Sequence, residues 1–165
     1  MDIKRIGKHL IANRSRVRRA FPAAALTNIE RAIKASEATH GGQIRFVVEG
    51  ALDGAPLLKE QSARARALDI FSHLRIWDTA HNNGVLIYLL LADHDVEILA
   101  DRGINALVAA AEWEQICTIM EGEFRRRNFE AGVIGGIEAV SRLLLKHFPK
   151  DDVGKNELPD TPVVI

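Results

Sequence analysis

Three segments of the sequence have the hydrophobic pattern of β-strands. Residues 43–49 place β-branched and aromatic side chains between glycines, which predicts a first strand. The uninterrupted apolar run at 85–91, after the turn sequence at 81–84, is typical of a central strand covered on both faces. Beyond a short turn at 93–95, residues 96–101 alternate and are predicted to pair back as a hairpin strand.

Apolar residues at helical spacing predict helices around these strands. The pair Thr27 and Glu30 resembles a capping box at a helix start, and Pro149 ends the last helix. The predicted helices cover residues 27–40, 57–74, 106–126 and 130–147. Helices around a fully buried strand indicate an α/β fold, in the form of a three-layer α/β/α sandwich. The side chains expected in its core are Phe71, Trp77, Trp113, Phe124, Val133 and Ile137.

The two ends of the chain differ from this central part. Residues 1–20 are predicted to form a basic amphipathic helix, because their apolar side chains share one side of a helical wheel: Ile3, Ile6, Leu10 and Ile11. Residues 150–165 are polar with two prolines, which predicts a mobile C-terminal tail. The α/β domain is therefore expected to occupy residues 21–149.

Charge sets the N-terminal segment apart. The chain has 22 Lys and Arg and 22 Asp and Glu, and this balance argues against nucleic-acid binding. Residues 1–20 nevertheless hold seven basic side chains against Asp2 alone, a net charge of +6. The segment is expected either to contact an anionic membrane surface or a protein partner, or to pack on the domain with its charges in water. We expect its deletion to leave a folded domain.

The sequence also restricts the cellular setting. A single cysteine, Cys117, excludes an intrachain disulfide and a zinc site made of thiolates. The first residues lack the pattern of a secretory signal, and no apolar run approaches the roughly 20 residues of a membrane span. These features predict a cytoplasmic protein, with peripheral contact at the inner membrane face through residues 1–20 as an open alternative.

A series of short motifs resembles the TPM domain. The resemblance extends over residues 27–148 and includes Ile76-Trp77, Asn82-Asn83-Gly84, Ala92-Asp93, Val96-Glu97-Ile98, Gly103-Ile104 and Phe129-Glu130-Ala131-Gly132. It implies a mixed sheet between helices, calcium binding, weak acid-phosphatase activity and a role in the upkeep of membrane protein complexes. The chain resembles a short standalone bacterial form, since many relatives carry a signal peptide and a membrane anchor.

Two positions depart from the family pattern. The usual Asp-Arg turn is Asp93-His94 in this chain, and the usual Gly-Tyr-Gly-Leu stretch is replaced by residues 101–104 (DRGI). Activities that depend on the family residues at these positions are therefore not expected to carry over unchanged.

Acidic side chains around the hairpin form the candidate metal site. Asp93, Asp95, Glu97 and Asp101 have the same parity, so an unbroken strand from residue 93 would project all four from one face. The loop entering the neighbouring strand brings two further oxygen ligands, Asp78 and Asn82. Oxygen ligands without cysteine suit Ca²⁺ or Mg²⁺. The alternative is a solvated edge face with turn aspartates.

These residues support two hypotheses for function. The first is a module that binds a divalent cation, calcium above all, and a protein partner, linked to membrane protein complex maintenance. The second is a metal-dependent acid phosphatase-like hydrolase, with Asp93 and His94 as candidate catalytic residues. A nucleotide cofactor is not expected, because the glycines at 132–136 do not follow a strand in the dinucleotide-binding pattern.

Overall fold

The computed structural model describes residues 5–7, 9, 14–150 and 156–165. Residues 5–7 and 9 are helical. The elements that follow are α1 (Arg14–Ala20), α2 (Ala23–Glu37), β1 (Gln43–Glu49), α3 (Gly54–Leu58), α4 (Ala63–His73), β2 (Gly84–Leu90), β3 (Asp95–Ala100), α5 (Arg102–Asn105), α6 (Ala110–Arg125), α7 (Phe129–His147) and β4 (Val163–Val164). All three predicted strands are present.

The strands form one mixed sheet in the order β3-β2-β1-β4. β1 pairs in parallel with β2 and β4, whereas β2 and β3 form an antiparallel hairpin. β1 and β2 are buried along their whole length, as an apolar run without alternation indicates for strands in the middle of a sheet. The hairpin therefore places β3 at one edge.

Alternate residues of β2 enter two separate apolar cores. The odd-numbered residues from Val85 to Leu89 pack with side chains of α1, α2, α6 and α7. The even-numbered residues from Leu86 to Leu90 pack with side chains of α3 and α4. Because successive side chains of a strand point to opposite faces, the sheet is the middle layer of three. The predicted α/β/α sandwich is confirmed.

The helix predicted over 27–40 begins earlier than its sequence signal. α2 starts after Pro22, and Thr27 Oγ1 donates a hydrogen bond to Ala23 O at 3.0 Å. Glu30 pairs with Lys34 one turn later, at 2.8 Å. The two residues that resembled a capping box therefore lie inside the helix.

The helix predicted over 57–74 is divided, and the helix predicted over 106–126 begins later than predicted. Between α3 and α4 the chain turns through Glu60, whose φ is +54°. Ser62 then caps α4 by accepting a hydrogen bond from Ala65 N at 3.1 Å. The second predicted helix corresponds to α6, which begins at Ala110 rather than at residue 106. At this start Ala109 N donates a hydrogen bond to Glu112 Oε2 at 3.1 Å. Apolar spacing alone revealed neither the break nor the later start, because side-chain caps and turns compete with the helix locally.

The core prediction was wrong for Trp77. Its exposed fraction is 50 %, while its neighbour Ile76 is fully buried. The chain leaves α4 through Arg75 with φ of +51°, and this turn directs Ile76 rather than the tryptophan into the core. Phe71 is half-buried against the core formed with α4. The remaining predicted core residues are buried: Trp113, Phe124, Val133 and Ile137.

The prediction of a mobile tail was wrong for residues 156–165. β4 pairs with Val47 and Val48 of β1, and Leu158 is buried against the α4 core. Gln43 Oε1 accepts hydrogen bonds from the amides of Glu157 and Leu158 at 2.8 and 3.1 Å. The anchoring contacts join residues more than a hundred positions apart, which the local sequence does not show.

Described residues of the N-terminal segment belong to the domain core, whereas Ile3, Leu10 and Ile11 of the predicted apolar stripe lie outside the described residues. Val17 of α1 is 1 % exposed and packs in the core beside α2 and α7, and His9 is also buried. Because full burial of one valine stabilises a fold by about 1.5–3 kcal/mol, deletion of residues 1–20 is expected to destabilise the domain. The expectation of a dispensable segment is therefore not supported. None of the described helices is both long and apolar enough for a membrane crossing.

Candidate functional site

The six predicted metal ligands lie near two ends of the β2–β3 hairpin. Asp95 is opposite Leu90, whereas Asp101 follows the other end of β3 and donates its amide to Gly84 O at 2.8 Å. The six residues of β3 rise about 20 Å in total. One ion therefore cannot contact both groups. We call them the Asp93 end (Arg5, His9, Asp93, Asp95) and the Asp101 end (Asn82, Asn83, Asp101, Arg102).

Asp93 does not belong to the strand, so the parity argument fails for it. Residues 91–94 form a turn, in which His94 adopts φ of +54°. Asp93 Oδ2 accepts hydrogen bonds from Arg5 Nε at 2.8 Å and His9 Nε2 at 3.1 Å. Leu52 N donates to His9 Nδ1 at 2.9 Å, which assigns the imidazole proton to Nε2 when the ring is neutral. Asp93 is thus held by two donors.

The pKa of Asp93 reflects these contacts. Burial acts to raise this pKa, but the hydrogen bonds from Arg5 and His9 outweigh burial and hold it below its ordinary value. The carboxylate is ionised and occupied by protein donors near neutral pH. The ring of the other candidate catalytic residue, His94, lies edge-on to Phe129 with centroids 6.1 Å apart.

Asp95 and Glu97 lie beside further negative charge. Burial first, and then repulsion from Glu97, Glu121 and Asp93, raises the pKa of Asp95 to about 6. Glu97 Oε2 is 3.1 Å from Arg64 Nη1. These two residues line the groove between α4 and α6.

The Asp101 end contains buried side-chain oxygen atoms. Asp101 is 5 % exposed; its Oδ1 accepts from Arg102 N at 2.6 Å and caps α5. Its Oδ2 is buried and has no hydrogen-bond partner among the described residues, and the same holds for Oδ1 of Asn83. Asn83 is fixed from the other side, since its amide donates to Thr79 Oγ1 at 3.0 Å and its Nδ2 donates to Gly41 O.

Two glycines allow the chain to approach closely at the Asp101 end. Gly103 N donates to Asn82 O at 3.1 Å, and a Cβ on Gly103 would lie 2.6 Å from the same oxygen. A Cβ on Gly84 would collide with the carbonyl oxygen of Ile76. Asn82 itself has φ of +51°, a left-handed conformation that asparagine tolerates. Glycine at position 103 permits the loop before β2 to contact the start of α5, and glycine at position 84 permits the start of β2 to lie against Ile76 at the beginning of that loop.

The donor set at the Asp101 end fits a hard cation in part. Calcium takes carboxylate, amide and backbone oxygens together, and Asp101 and Asn83 supply two buried oxygens of this kind. Asn82 Oδ1 already accepts from the exposed Arg102 at 3.3 Å, and Asp78 is exposed in the loop before it. Among the described residues no three His, Cys, Asp or Glu side chains converge in a metal-binding group.

Sequence reasoning passed over Asn83 as a candidate ligand. It considered carboxylates and the neighbouring Asn82, and treated the Asn-Asn-Gly sequence as turn chemistry only. The usable signal was that a polar residue directly before a fully apolar strand becomes buried with it; Asn83 is 3 % exposed.

The fold and part of the sequence are shared with solved bacterial proteins. The BA42 protein of the psychrophilic Bizionia argentinensis, determined by NMR, is 30% identical; the alignment covers 87% of this chain and 94% of that one, with a TM-score of 0.76. The N-terminal domain of the cg2496 protein from Corynebacterium glutamicum is 12% identical over 82% of this chain and 81% of that one, with a TM-score of 0.57, which shows the fold alone. No match was found among curated proteins.

The resemblance predicted from the hairpin motifs is confirmed by a match to the TPM domain. The matched region covers residues 18–143, well over half of the chain. It includes β1, the β2–β3 hairpin and most of α7. The chain therefore belongs to the TPM domain family.

Proposed function

We propose that this TPM domain binds a divalent cation, calcium above all, at the Asp101 end and acts as a protein-binding module in the maintenance of membrane protein complexes. The observation that carries the proposal is the buried Asp101 Oδ2, which has no hydrogen-bond partner among the described residues. A buried carboxylate oxygen without a partner costs free energy, and a bound cation removes that cost.

Two features make Asp101 a better ligand than Asp93. Asp93 already accepts hydrogen bonds from Arg5 and His9, so a cation there competes with two protein donors. Asp101 has one oxygen engaged and one unengaged, next to a loop held close by Gly84 and Gly103. The link to membrane complexes and to a protein partner comes from the family resemblance.

Calcium titration of the full chain by thermal unfolding tests this proposal. A ligand that binds only the folded state at a hundredfold excess over its dissociation constant stabilises it by about 2.7 kcal/mol. We expect millimolar Ca²⁺ to raise the Tm, and Asp101→Asn to abolish the rise. Asparagine still caps a helix, so this variant keeps the fold.

Asp95→Asn is the matched control, because it removes the same charge at the opposite end of β3. It should leave the calcium-dependent rise intact. If Asp95→Asn abolishes the rise and Asp101→Asn does not, the cation binds in the acidic group of Asp95 and Glu97 instead. A Tm that calcium and magnesium leave unchanged contradicts cation binding altogether.

The alternative function, a metal-dependent phosphatase, is tested with the same samples. Turnover of a generic phosphomonoester that requires the metal and disappears in Asp101→Asn would favour the hydrolase. We expect no turnover, because the candidate catalytic residue Asp93 is held by Arg5 and His9 near neutral pH and lies at the other end of the hairpin.

A further inference from the structure

A groove runs along the open side of β3, between α4 and α6. Its volume is about 770 Å³, and all six residues of β3 line it. β3 is the edge strand of the sheet, and within the described part of the chain no strand pairs with its outer side. An open edge of this kind presents main-chain groups to a partner strand.

Two outward-facing main-chain groups of β3 form hydrogen bonds with side chains instead of with a neighbouring strand. Glu121 Oε1 accepts a hydrogen bond from Val96 N at 3.3 Å, and Arg64 Nη1 donates to Ile98 O at 3.1 Å. The Arg64 side chain is 56% exposed. Both contacts can be exchanged for the N–H and C=O groups of an incoming strand without moving the backbone of β3.

The acidic side chains of the groove indicate that its occupant is basic. Asp95 and Glu97 line the groove from β3, and Glu114 and Glu121 line it from α6, whereas Arg64 is the only basic residue among the lining side chains. Glu97 pairs with Arg64 at 3.1 Å and Glu121 pairs with the exposed Arg125 at 3.3 Å. Burial, and then repulsion from Glu97, Glu121 and Asp93, still raises the pKa of Asp95 to about 6. Cationic side chains would relieve this repulsion.

The groove also offers apolar contact beside a buried indole ring. Leu68 of α4 lines it and is 54% exposed. Trp113 of α6 lines it as well; this residue is 6% exposed, and its indole N–H has no acceptor among the described residues. An extended chain in the groove would bring apolar side chains beside Leu68.

We propose that this groove binds an extended segment of a partner protein that carries Lys or Arg, and that the segment adds to the sheet as a strand beside β3. Its alternate side chains would meet Asp95 and Glu97 on one face and Glu114 and Glu121 on the other. The inference rests on the protein-binding part of the proposed function, because it identifies the surface that receives the partner. It does not depend on the cation site.

The test uses the ¹⁵N-labelled full chain and a soluble eight-residue peptide in which Lys alternates with Thr and Val. The amides of Val96, Ile98 and Ala100 should shift on titration, with binding that weakens as salt is added. A peptide with Glu in place of Lys should not bind. The Lys peptide with a methyl group on every second backbone nitrogen should also fail, because it cannot form a strand ladder.

Matched charge reversals locate the contact. Glu114 and Glu138 are both exposed helical residues, and only Glu114 lines the groove. Glu114→Lys should weaken peptide binding at least fivefold, and Glu138→Lys should leave it within twofold. Asp101→Asn should bind the peptide normally, which separates failure of this inference from failure of the cation site.

Four results would overturn the inference. These are an absence of shifts at millimolar peptide, unchanged binding of the methylated peptide, and equal weakening by Glu114→Lys and Glu138→Lys. The fourth is concentration-dependent broadening of the β3 amides without peptide, which would identify a second copy of the chain as the occupant.

Discussion

The two ends of the β2–β3 hairpin carry aspartates of the same chemistry in opposite states. At the Asp93 end, Asp93 Oδ2 accepts from Arg5 and from the buried His9. At the Asp101 end, Asp101 is more buried, yet its Oδ2 has no partner among the described residues. Residue type and position in the hairpin are therefore poor guides to which carboxylate is available to a ligand.

The difference arises from distant parts of the chain. Arg5 and His9 come from the N-terminal segment, more than 80 positions before Asp93. Their hydrogen bonds make this aspartate, which lies in a turn, part of the contact between the N-terminal segment and the hairpin. The Asp101 end is built from local pieces, a loop and a short helix held together where Gly84 and Gly103 leave no room for a side chain. A carboxylate engaged by the fold contributes to stability, while an unengaged one is available for binding.

The largest expected effect comes from closing the space at the Asp101 end. In Gly84→Ala the new methyl group collides with the backbone carbonyl of Ile76, which cannot yield as a flexible side chain would. We expect a loss of about 3 kcal/mol in the free energy of unfolding, measured by urea denaturation, together with loss of calcium binding.

Gly135→Ala is the control for this substitution. A Cβ on Gly135 meets nothing within 4 Å on the exposed face of α7, so alanine should stabilise the helix by about 0.5–1 kcal/mol. A Gly84→Ala protein as stable as the parent would show that the loop before β2 has room to move.

The same substitution at each end compares the two aspartates directly. Asp93→Asn weakens the hydrogen bonds from Arg5 and His9 and should cost about 2 kcal/mol without calcium. Asp101→Asn keeps the cap on α5 and removes an unpartnered charge, so it should change stability by less than about 0.5 kcal/mol. Urea unfolding in the presence of a chelator measures both. Equal losses in the free energy of unfolding for the two variants would contradict the difference between the Asp93 end and the Asp101 end.

The sequence predicted the layers of this fold but not its long-range anchors. The apolar run at 85–91 identified a central strand, because a strand covered on both faces requires apolar residues at every position. β4 escaped detection because its two residues are held by pairing with β1, and the chain before it is held by hydrogen bonds from Glu157 and Leu158 to the Gln43 side chain. Trp77 was misplaced because a left-handed turn at Arg75 sets which neighbour enters the core.

The candidate site was predictable only in part of its membership. Parity indicated that Asp95 and Glu97 share a face, and both line the groove beside β3. It could not reveal that Asp93 lies in a turn, nor that Arg5 and His9 fold back onto it. The buried state of Asn83 and Asp101 depends on tertiary packing, which a single sequence does not display.

A smaller effect is expected from pH at the Asp93 end. The folded-state pKa of Asp95 is about 6, above its ordinary value of 3.8, so between these pH values the native state binds more protons than the unfolded state. The contribution of the Asp95 carboxyl group to the free energy of unfolding is therefore present at low pH and falls as the pH rises towards 6. Asp95→Asn should therefore stabilise the protein by about 1 kcal/mol at pH 7, after allowance for partial exposure, and have little effect at pH 4.

Asp93 should show the opposite dependence. Its pKa is lowered in the folded state, so its contribution is present near neutral pH and is lost as pH falls through the folded-state value. The cost of Asp93→Asn should then shrink on acidification. Identical pH profiles for the two variants would contradict the assigned difference between neighbouring carboxylates.

The smallest expected effect is on membrane binding through the exposed side of α1. Val17 of this helix is in the core, and Arg5 and His9 earlier in the N-terminal segment contact Asp93. Arg18 and Arg19 of α1 are exposed, and we expect them to attract anionic vesicles containing phosphatidylserine. One basic residue near such a surface contributes about 1 kcal/mol, so Arg18→Gln or Arg19→Gln should weaken vesicle binding roughly fivefold in a sedimentation assay at low salt. Arg142→Gln, an exposed arginine on α7, is the matched control and should have no effect. Binding that survives high salt, or that Arg142→Gln weakens equally, would exclude a specific electrostatic contact through α1.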